Sequence, residues 1–271
     1  MRDTNSVTTA EVGAGGVASS GVAALDGVVS GAASAPGPAT VPGAAAPGAA
    51  AAESNAPTAE SVSERVAAQI REEIFSGVLP QGAALREVAL AEVHQVSRRT
   101  VREALLSLAS ERLVVHERNR GASVRSLTAA DISDLYAVRR TFEVQGARNA
   151  PFAKERDRRN LTEAYERLRA AAHGDDSRAL VRSDLAFHGA VVALAGSPRL
   201  SAFYAQMSPE MEMAISVMRG GEHQEGWGAE QIIGDHRTIH EALIARDVLE
   251  AQRVILAHAD FNERYLLALV A

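Results

Sequence analysis

The sequence predicts a mainly α-helical protein in three parts: a disordered tail over 1–58, a small domain of short helices over 59–127 and an all-α helical bundle over 128–271. Three observations lead there. Apolar residues recur three and four apart from Val62 almost to the C-terminus, the period of helices with one buried face. One place departs from that period, where the β-prone runs LVVH and ASVR flank the polar turn ERNRG. The first 58 residues, as in GAASAPGPATVPGAAAPGAAAAE, are Ala, Gly, Val, Ser and Pro with few large apolar side chains, too little to offset the entropy of ordering them.

Composition limits the chemistry. Hydrophobic residues make up 46% and aromatic ones 4% of the 271 residues, so the core is built from Ala, Leu and Val, strong helix formers among them. With no cysteine, disulfides and thiolate ligands are excluded, and metal ligation falls to His, Asp and Glu. No apolar run reaches the roughly 18 residues of a membrane helix, and Asp3 and Glu11 break any secretory h-region. The expectation is a cytoplasmic, nucleoid-associated protein without a membrane partner.

Each element has its own signal. Val62, Val66, Ile70 and Ile74 form a stripe four apart, opened by Ser61 with Glu64 as a capping box and stopped by Gly77 and Pro80. REVALAEVH is a second short helix, and SRRTVREALLSLASER a third with Ser97 as N-cap. Beyond Thr128, a capping residue, the periodicity predicts helices over 129–147, 155–172, 176–195, 199–218, 229–245 and 248–269, broken at Pro151, at 173–175, at 196–198, at the Gly-rich 219–228 and at Arg246-Asp247. Met207, Met211, Met218, Phe203 and Ile215 make an apolar stripe expected to be core.

Three short helices closed by a hairpin is a winged helix-turn-helix. In its third helix Val101, Ala104, Leu105 and Leu108 face inward, while Ser97, Arg98, Arg99, Thr100 and Arg102 lie in and near the first turn, on other faces. A recognition helix enters the major groove by that end, and arginine pairs with guanine edges and phosphates. Charge is segregated accordingly: residues 84–127 carry eight Arg and five Glu, whereas 128–271 carry 17 basic and 21 acidic groups, within a net charge of −6. Arg118 and Arg120 add charge at the wing, so double-stranded DNA is the expected partner.

The helical part holds a second constellation. Asp184 and His188 in DLAFH are four apart, on one helix face. His236 and His258 stand eleven residues before and after Asp247, so an antiparallel hairpin turning there sets them level. An Asp and three His suit Zn, Ni or Mn and leave positions open on an octahedral ion. Packing is the alternative. His240 offers a competing pair with His236, while His173 and His223 fall in loops and need no role.

Two resemblances add to this. LREVALAEVHQVSRRTVREALLSLASERLVVHERNRGASV resembles the DNA-binding domain of GntR-type bacterial transcription regulators, through LRE and LA, VSR then VREAL, and the RGASV wing. It implies that Arg86, Arg98, Arg102 and the wing-tip Gly121 contact DNA, with Arg99 and Thr100 beside them. The chain departs at Gln95 and Arg112, where Gly is usual, and at Arg99-Thr100 in place of Thr-Pro. Residues 128–271 resemble the FCD effector domain of the FadR-like branch, through LYAVRRTFE, DLAFH, DHRTIHEALIARD and His258. That resemblance implies a divalent metal on Asp184, His188, His236 and His258. It also implies a small carboxylate or sugar-acid effector paired with Arg139, and a longer than usual segment at 219–228.

The expected protein is a homodimeric, ligand-responsive regulator, acting as a repressor, with no catalytic residues. Two alternatives stay open: an Asp/His₃ metalloenzyme that activates water, and a DNA-binding protein whose helical part only dimerises.

Overall fold

The computed structural model describes residues 61–117, 121–220 and 228–270, with side chains undescribed over 217–220. The tail over 1–58, Arg118, Arg120, His223 and most of the Gly-rich segment lie outside the described residues, as does the Met218 side chain.

The small domain assembles as its periodicity predicts. Helix α1 (Val62–Phe75) starts at the Ser61–Glu64 capping box and buries Val66, Ile70 and Ile74. It packs on α3 (Arg98–Ser110), which buries Val101, Ala104, Leu105 and Leu108, and Arg71 clamps the far end of α3 through two bonds to Glu111 at 2.7 and 2.5 Å. Between them lies α2 (Glu87–Val93). The turn from α2 to α3 places Gln95 at φ 54°, which explains why glycine is the usual residue there. The wing strands run Val114–Glu117 (β2) and Gly121–Val124 (β3), each within a residue of LVVH and ASVR. A third strand, β1 (Ala84–Leu85), pairs with β3 and makes it central, in the order β1-β3-β2. Two residues are too few to show alternation, so β1 left no sequence signal.

Six α-helices follow among the described residues: α4 (Ala129–Asn149), α5 (Glu155–Ala172), α6 (Ser177–Ala193), α7 (Pro198–Gly220), α8 (Ala229–Ile244) and α9 (Val248–Val270). A single 3₁₀ turn at Ala150–Phe152 carries Pro151. Helix α4 packs against α6, α7 and α9, and α5 against α6 and α8. At Gly146 a side chain has no room: a Cβ there would sit 2.1 Å from the Val191 carbonyl oxygen, so the backbones of α4 and α6 touch. One expectation is corrected. Phe203 is 56% exposed and does not join Met207, Met211 and Ile215 in the core; α7 leaves this position of its stripe facing outward.

The head is tied to the bundle through polar contacts as well as through a shared apolar cluster. Glu210 of α7 is buried, accepts from Arg112 Nε at 3.1 Å and lies 3.8 Å from Arg125 Nη1. Arg125 also donates to Asp131 at 2.6 Å, and Arg178 of α6 bonds Glu72 of α1 and Glu212 of α7.

Candidate functional site

Three helices deliver the Asp–His constellation to one buried place. Asp184 and His188 sit one turn apart on α6; His236 comes from α8 and His258 from α9, across the Arg246-Asp247 turn. The His236 and His258 rings have centroids 4.8 Å apart, as the equal spacing from Asp247 predicts. One nitrogen from each of His188, His236 and His258 falls within 4.8 Å of the others. Asp184 Oδ1 stands 2.9 Å from His236 Nε2 and 4.0 Å from His188 Nε2, so all four residues named from the sequence come together.

Hydrogen bonds at the backs of the rings fix which nitrogens face inward. His188 Nδ1 meets a Glu143 carboxylate oxygen at 3.0 Å, and His236 Nδ1 meets the Ile232 carbonyl at 2.8 Å. Both partners only accept, so both Nδ1 atoms carry the proton and both Nε2 atoms present lone pairs. Those two Nε2 atoms are 3.2 Å apart, with the Asp184 carboxylate beside them. Three acceptors this close are stable only with a proton or a metal cation among them. Burial holds His188 below its ordinary pKa and His258 well below, which disfavours a proton on either. Ligand atoms around a divalent ion at about 2.1 Å stand about 3.0–3.4 Å apart; the separations of 2.9 and 3.2 Å are close to this, while the 4.0 Å between Asp184 and His188 is wider. Phe187, edge-on to His188 and His236 at 5.3 and 5.2 Å, supplies an apolar wall.

Other buried groups complete the site. Arg139 of α4 is 1% exposed and donates from Nε to Glu143 Oε1 at 2.6 Å. Burial opposes the charge on Glu143, but His188 and Arg139 hold its pKa below the ordinary value. Burial likewise opposes the Asp184 charge, while the adjoining His236, with His188 and Arg139, keeps it well below the usual carboxylate range. Asn262 of α9 meets His258 Nε2 at 3.0 Å. Glu143, Tyr136, Tyr204 and Asn262 were not singled out from the sequence. The signal for the first two was present, since Ile132, Tyr136, Arg139 and Glu143 fall on one inward stripe of α4 and put charge where core is expected. His240 stays apart, stacked on Tyr165 at 4.9 Å and bonded to Thr162 at 3.0 Å.

In the head, the groups named for DNA contact lie on the open side of α3. Ser97 Oγ accepts from Thr100 N at 3.1 Å and caps the helix, leaving Arg98, Arg99 and Arg102 with side chains 65%, 88% and 59% exposed. Arg86, just before α2, is also exposed, and Gly121 adopts φ 87° at the start of β3, where a side chain would be strained. Glu87, not named from the sequence, takes two bonds from Arg102 at 2.9 and 2.8 Å and lies 3.8 Å from Arg98. The two bonds hold the Arg102 guanidinium against the start of α2.

Comparison with known proteins bears on both halves. Residues 62–124 match the family described as bacterial regulatory proteins, gntR family, and residues 134–261 match the FCD domain. The gluconate operon transcriptional repressor of Bacillus licheniformis is 30% identical over 196 residues, 69% of this chain and 77% of that protein. The transcriptional regulator Mce2R of Mycobacterium tuberculosis is 31% identical over 219 residues, 72% of this chain and 88% of that protein. Among solved structures, a GntR-type regulator from Rhodococcus sp. RHA1 superposes with TM-score 0.64 at 29% identity, over 76% of this chain and 97% of that one. McbR/YncC of E. coli superposes at 0.60 with 21% identity, a likeness of fold alone. These are transcription regulators rather than enzymes, and no helix among the described residues is long and apolar enough to cross a membrane. With the two matches side by side on one chain, the protein belongs to the GntR family of DNA-binding bacterial transcription regulators, with an FCD domain behind its winged helix.

Proposed function

We propose that this regulator represses its target genes by binding an operator as a homodimer, and that a small carboxylate or sugar acid seated at a divalent metal controls that binding. The observation that carries the metal is the pair of Nε2 lone pairs 3.2 Å apart beside the Asp184 carboxylate. Asp184, His188, His236 and His258 hold a Zn, Ni or Mn ion, which supplies a Lewis-acidic seat for an effector oxygen. Arg139 takes the effector's carboxylate through the part of its guanidinium that Glu143 leaves open. The gluconate repressor among the relatives supports both repression and an acid of this size.

Residues 59–127 form the reading head. Arg98, Arg99, Thr100 and Arg102 approach base edges with Ser97, while Arg86, Arg118, Arg120 and Gly121 meet the backbone and the neighbouring groove. Residues 128–271 form the sensing and dimerising domain, and residues 1–58 a tail outside both.

The test uses protein purified without chelator. Elemental analysis is expected to find about one divalent ion per chain. D-gluconate is expected to weaken binding to a duplex that the protein itself selects from random sequence, and to do so only in the metal-loaded form. Less than a tenth of an equivalent of metal in such protein would reduce the helical domain to a dimerising module.

A further inference from the structure

Among the described residues, six buried side-chain polar atoms have no hydrogen-bond partner, and four of them belong to residues around the Asp–His cluster: Arg139 Nη2, Tyr136 OH, Tyr204 OH and Asn262 Oδ1. Buried polar groups are nearly always paired, so this concentration points to a ligand. Three of the four come from α4 and α7, two helices packed against α6. Tyr136 and Arg139 are neighbours on α4, with the guanidinium carbon 5.5 Å from the Tyr136 ring centre. Tyr204 of α7 packs beside Gly189, the residue after His188, where its ring would meet an added Cβ at 3.6 Å. Both phenols are sealed, at 0% and 3% exposure.

We propose that Tyr136 and Tyr204 are specificity-determining residues of the effector site, closing with Arg139 a three-donor clamp on one carboxylate, and that the effector is a monocarboxylate with a second oxygen for the metal. The inference rests on the metal-and-carboxylate reading above and narrows it in two ways.

The first is donor chemistry. A guanidinium nitrogen can only donate, and burial keeps both phenols protonated, pushing Tyr136 up to about 12 and Tyr204 higher still. A carboxylate has lone pairs for all three. An alcohol or ketone oxygen has lone pairs for two, and would leave a buried donor stranded. The second is charge. Asp184 and Glu143 carry one negative charge each, Arg139 and a divalent ion one and two positive charges, and the imidazoles bind as neutral ligands. One positive charge is left over in a buried place, and a single carboxylate neutralises it. A dicarboxylate would bury a net negative charge and a neutral sugar a net positive one, both costly at low dielectric.

Calorimetric titration of the zinc-loaded protein tests this, with glycolate and D-gluconate as monoanions, malonate as dianion and ethylene glycol as the neutral analogue of glycolate. We expect binding of a monoanion, at least tenfold weaker binding of malonate and none of ethylene glycol. Tyr136→Phe and Tyr204→Phe should each weaken the monoanion roughly tenfold, with zinc content and the ligand-free thermal midpoint unchanged. In the wild type, the monoanion should also perturb the tyrosine ultraviolet difference spectrum, and each variant should lose part of that signal. Affinities within about twofold in both Phe variants, or monoanion binding without a tyrosine signal, would reduce the phenols to packing while the metal site stands. Malonate bound as tightly as the monoanions would overturn the charge argument. Failure of both glycolate and D-gluconate to bind wild-type zinc-loaded protein would instead sink the carboxylate reading itself, and this one with it.

Discussion

The Nδ1 of His188 stands 3.0 Å from a Glu143 carboxylate that Arg139 reaches from its other side at 2.6 Å, and all three side chains are sealed from solvent. A carboxylate behind a ligating imidazole fixes the tautomer and raises ligand basicity, and losing such a partner lowers metal affinity about 10–100-fold. Glu143→Gln is therefore expected to weaken zinc binding by that range, measured by competition with a chromophoric chelator, without unfolding the bundle. An affinity within threefold of wild type would detach Glu143 from the site.

The three arginines of α3 differ in how they are held. Arg102 is clamped by Glu87 through two bonds, and Arg98 stands at 3.8 Å from the same carboxylate. Arg98→Ala is expected to cost at least tenfold in specific operator affinity, since a bidentate base contact is worth roughly 1–3 kcal/mol. Glu87→Gln should instead broaden the selected sequences while non-specific affinity holds or rises, because a negative charge leaves the DNA-facing surface. Selection from a random pool, followed by fluorescence anisotropy at two salt concentrations, separates the two effects.

Asp131 gives a pH signature. It accepts from the Thr128 hydroxyl at 2.6 Å and the Thr128 amide at 2.9 Å, and Arg125 adds a bond at 2.6 Å; together these lower its pKa to about 2. A carboxylate lowered on folding contributes stability that is present above its unfolded value near 3.8 and is lost as pH falls toward about 2. Asp131→Asn should thus cost about 1–2 kcal/mol at neutral pH, after discounting for partial exposure, and close to nothing near pH 2. Urea unfolding across that range checks both ends.

Arg112 holds φ 61° at the end of α3, in the region where glycine is at ease, and its side chain reaches Glu210 at 3.1 Å while remaining 61% exposed. The backbone conformation costs about 1–2 kcal/mol for a residue with a Cβ, whereas the ion pair, exposed only on the Arg112 side and with Glu210 still near Arg125, returns about 1 kcal/mol. Arg112→Gly should therefore leave stability unchanged or raise it by up to about 1 kcal/mol. A loss above about 2 kcal/mol in urea would mean that leaving the buried Glu210 without Arg112 outweighs the relief of the backbone.

Much of this was written locally in the chain. The Ser61–Glu64 and Thr128–Asp131 boxes sit where two helices start, and the spacing of His236 and His258 about Asp247 placed their rings side by side. Periodicity gave those helices because one turn repeats the environment of the last. The partners of the site depend on packing between elements far apart in sequence. Tyr204 reads as one more aromatic residue until α7 lies against α4 and α6, and Phe203 shares its stripe with Met207 yet faces outward. In the sequence Glu143 stands i, i+4 from Arg139, a spacing whose pairs are usually solvated; only the position of α6 shows it enclosed.

The contact at Gly146 has a consequence in time rather than in affinity. Because α4 and α6 meet backbone to backbone there, Asp184, His188, Arg139 and Glu143 ride on one joined pair of helices, while His236 and His258 ride on the hairpin of α8 and α9. An ion held there would take ligands from both pairs. Since the three imidazoles are at most 9% exposed, its departure would need the packed helices to open. Its residence time would then follow the rate of that opening as well as the strength of its bonds. A cell whose metal supply fluctuates within minutes would then carry a regulator that averages over those swings, and reports the acid it meets rather than the ion it happened to fold around.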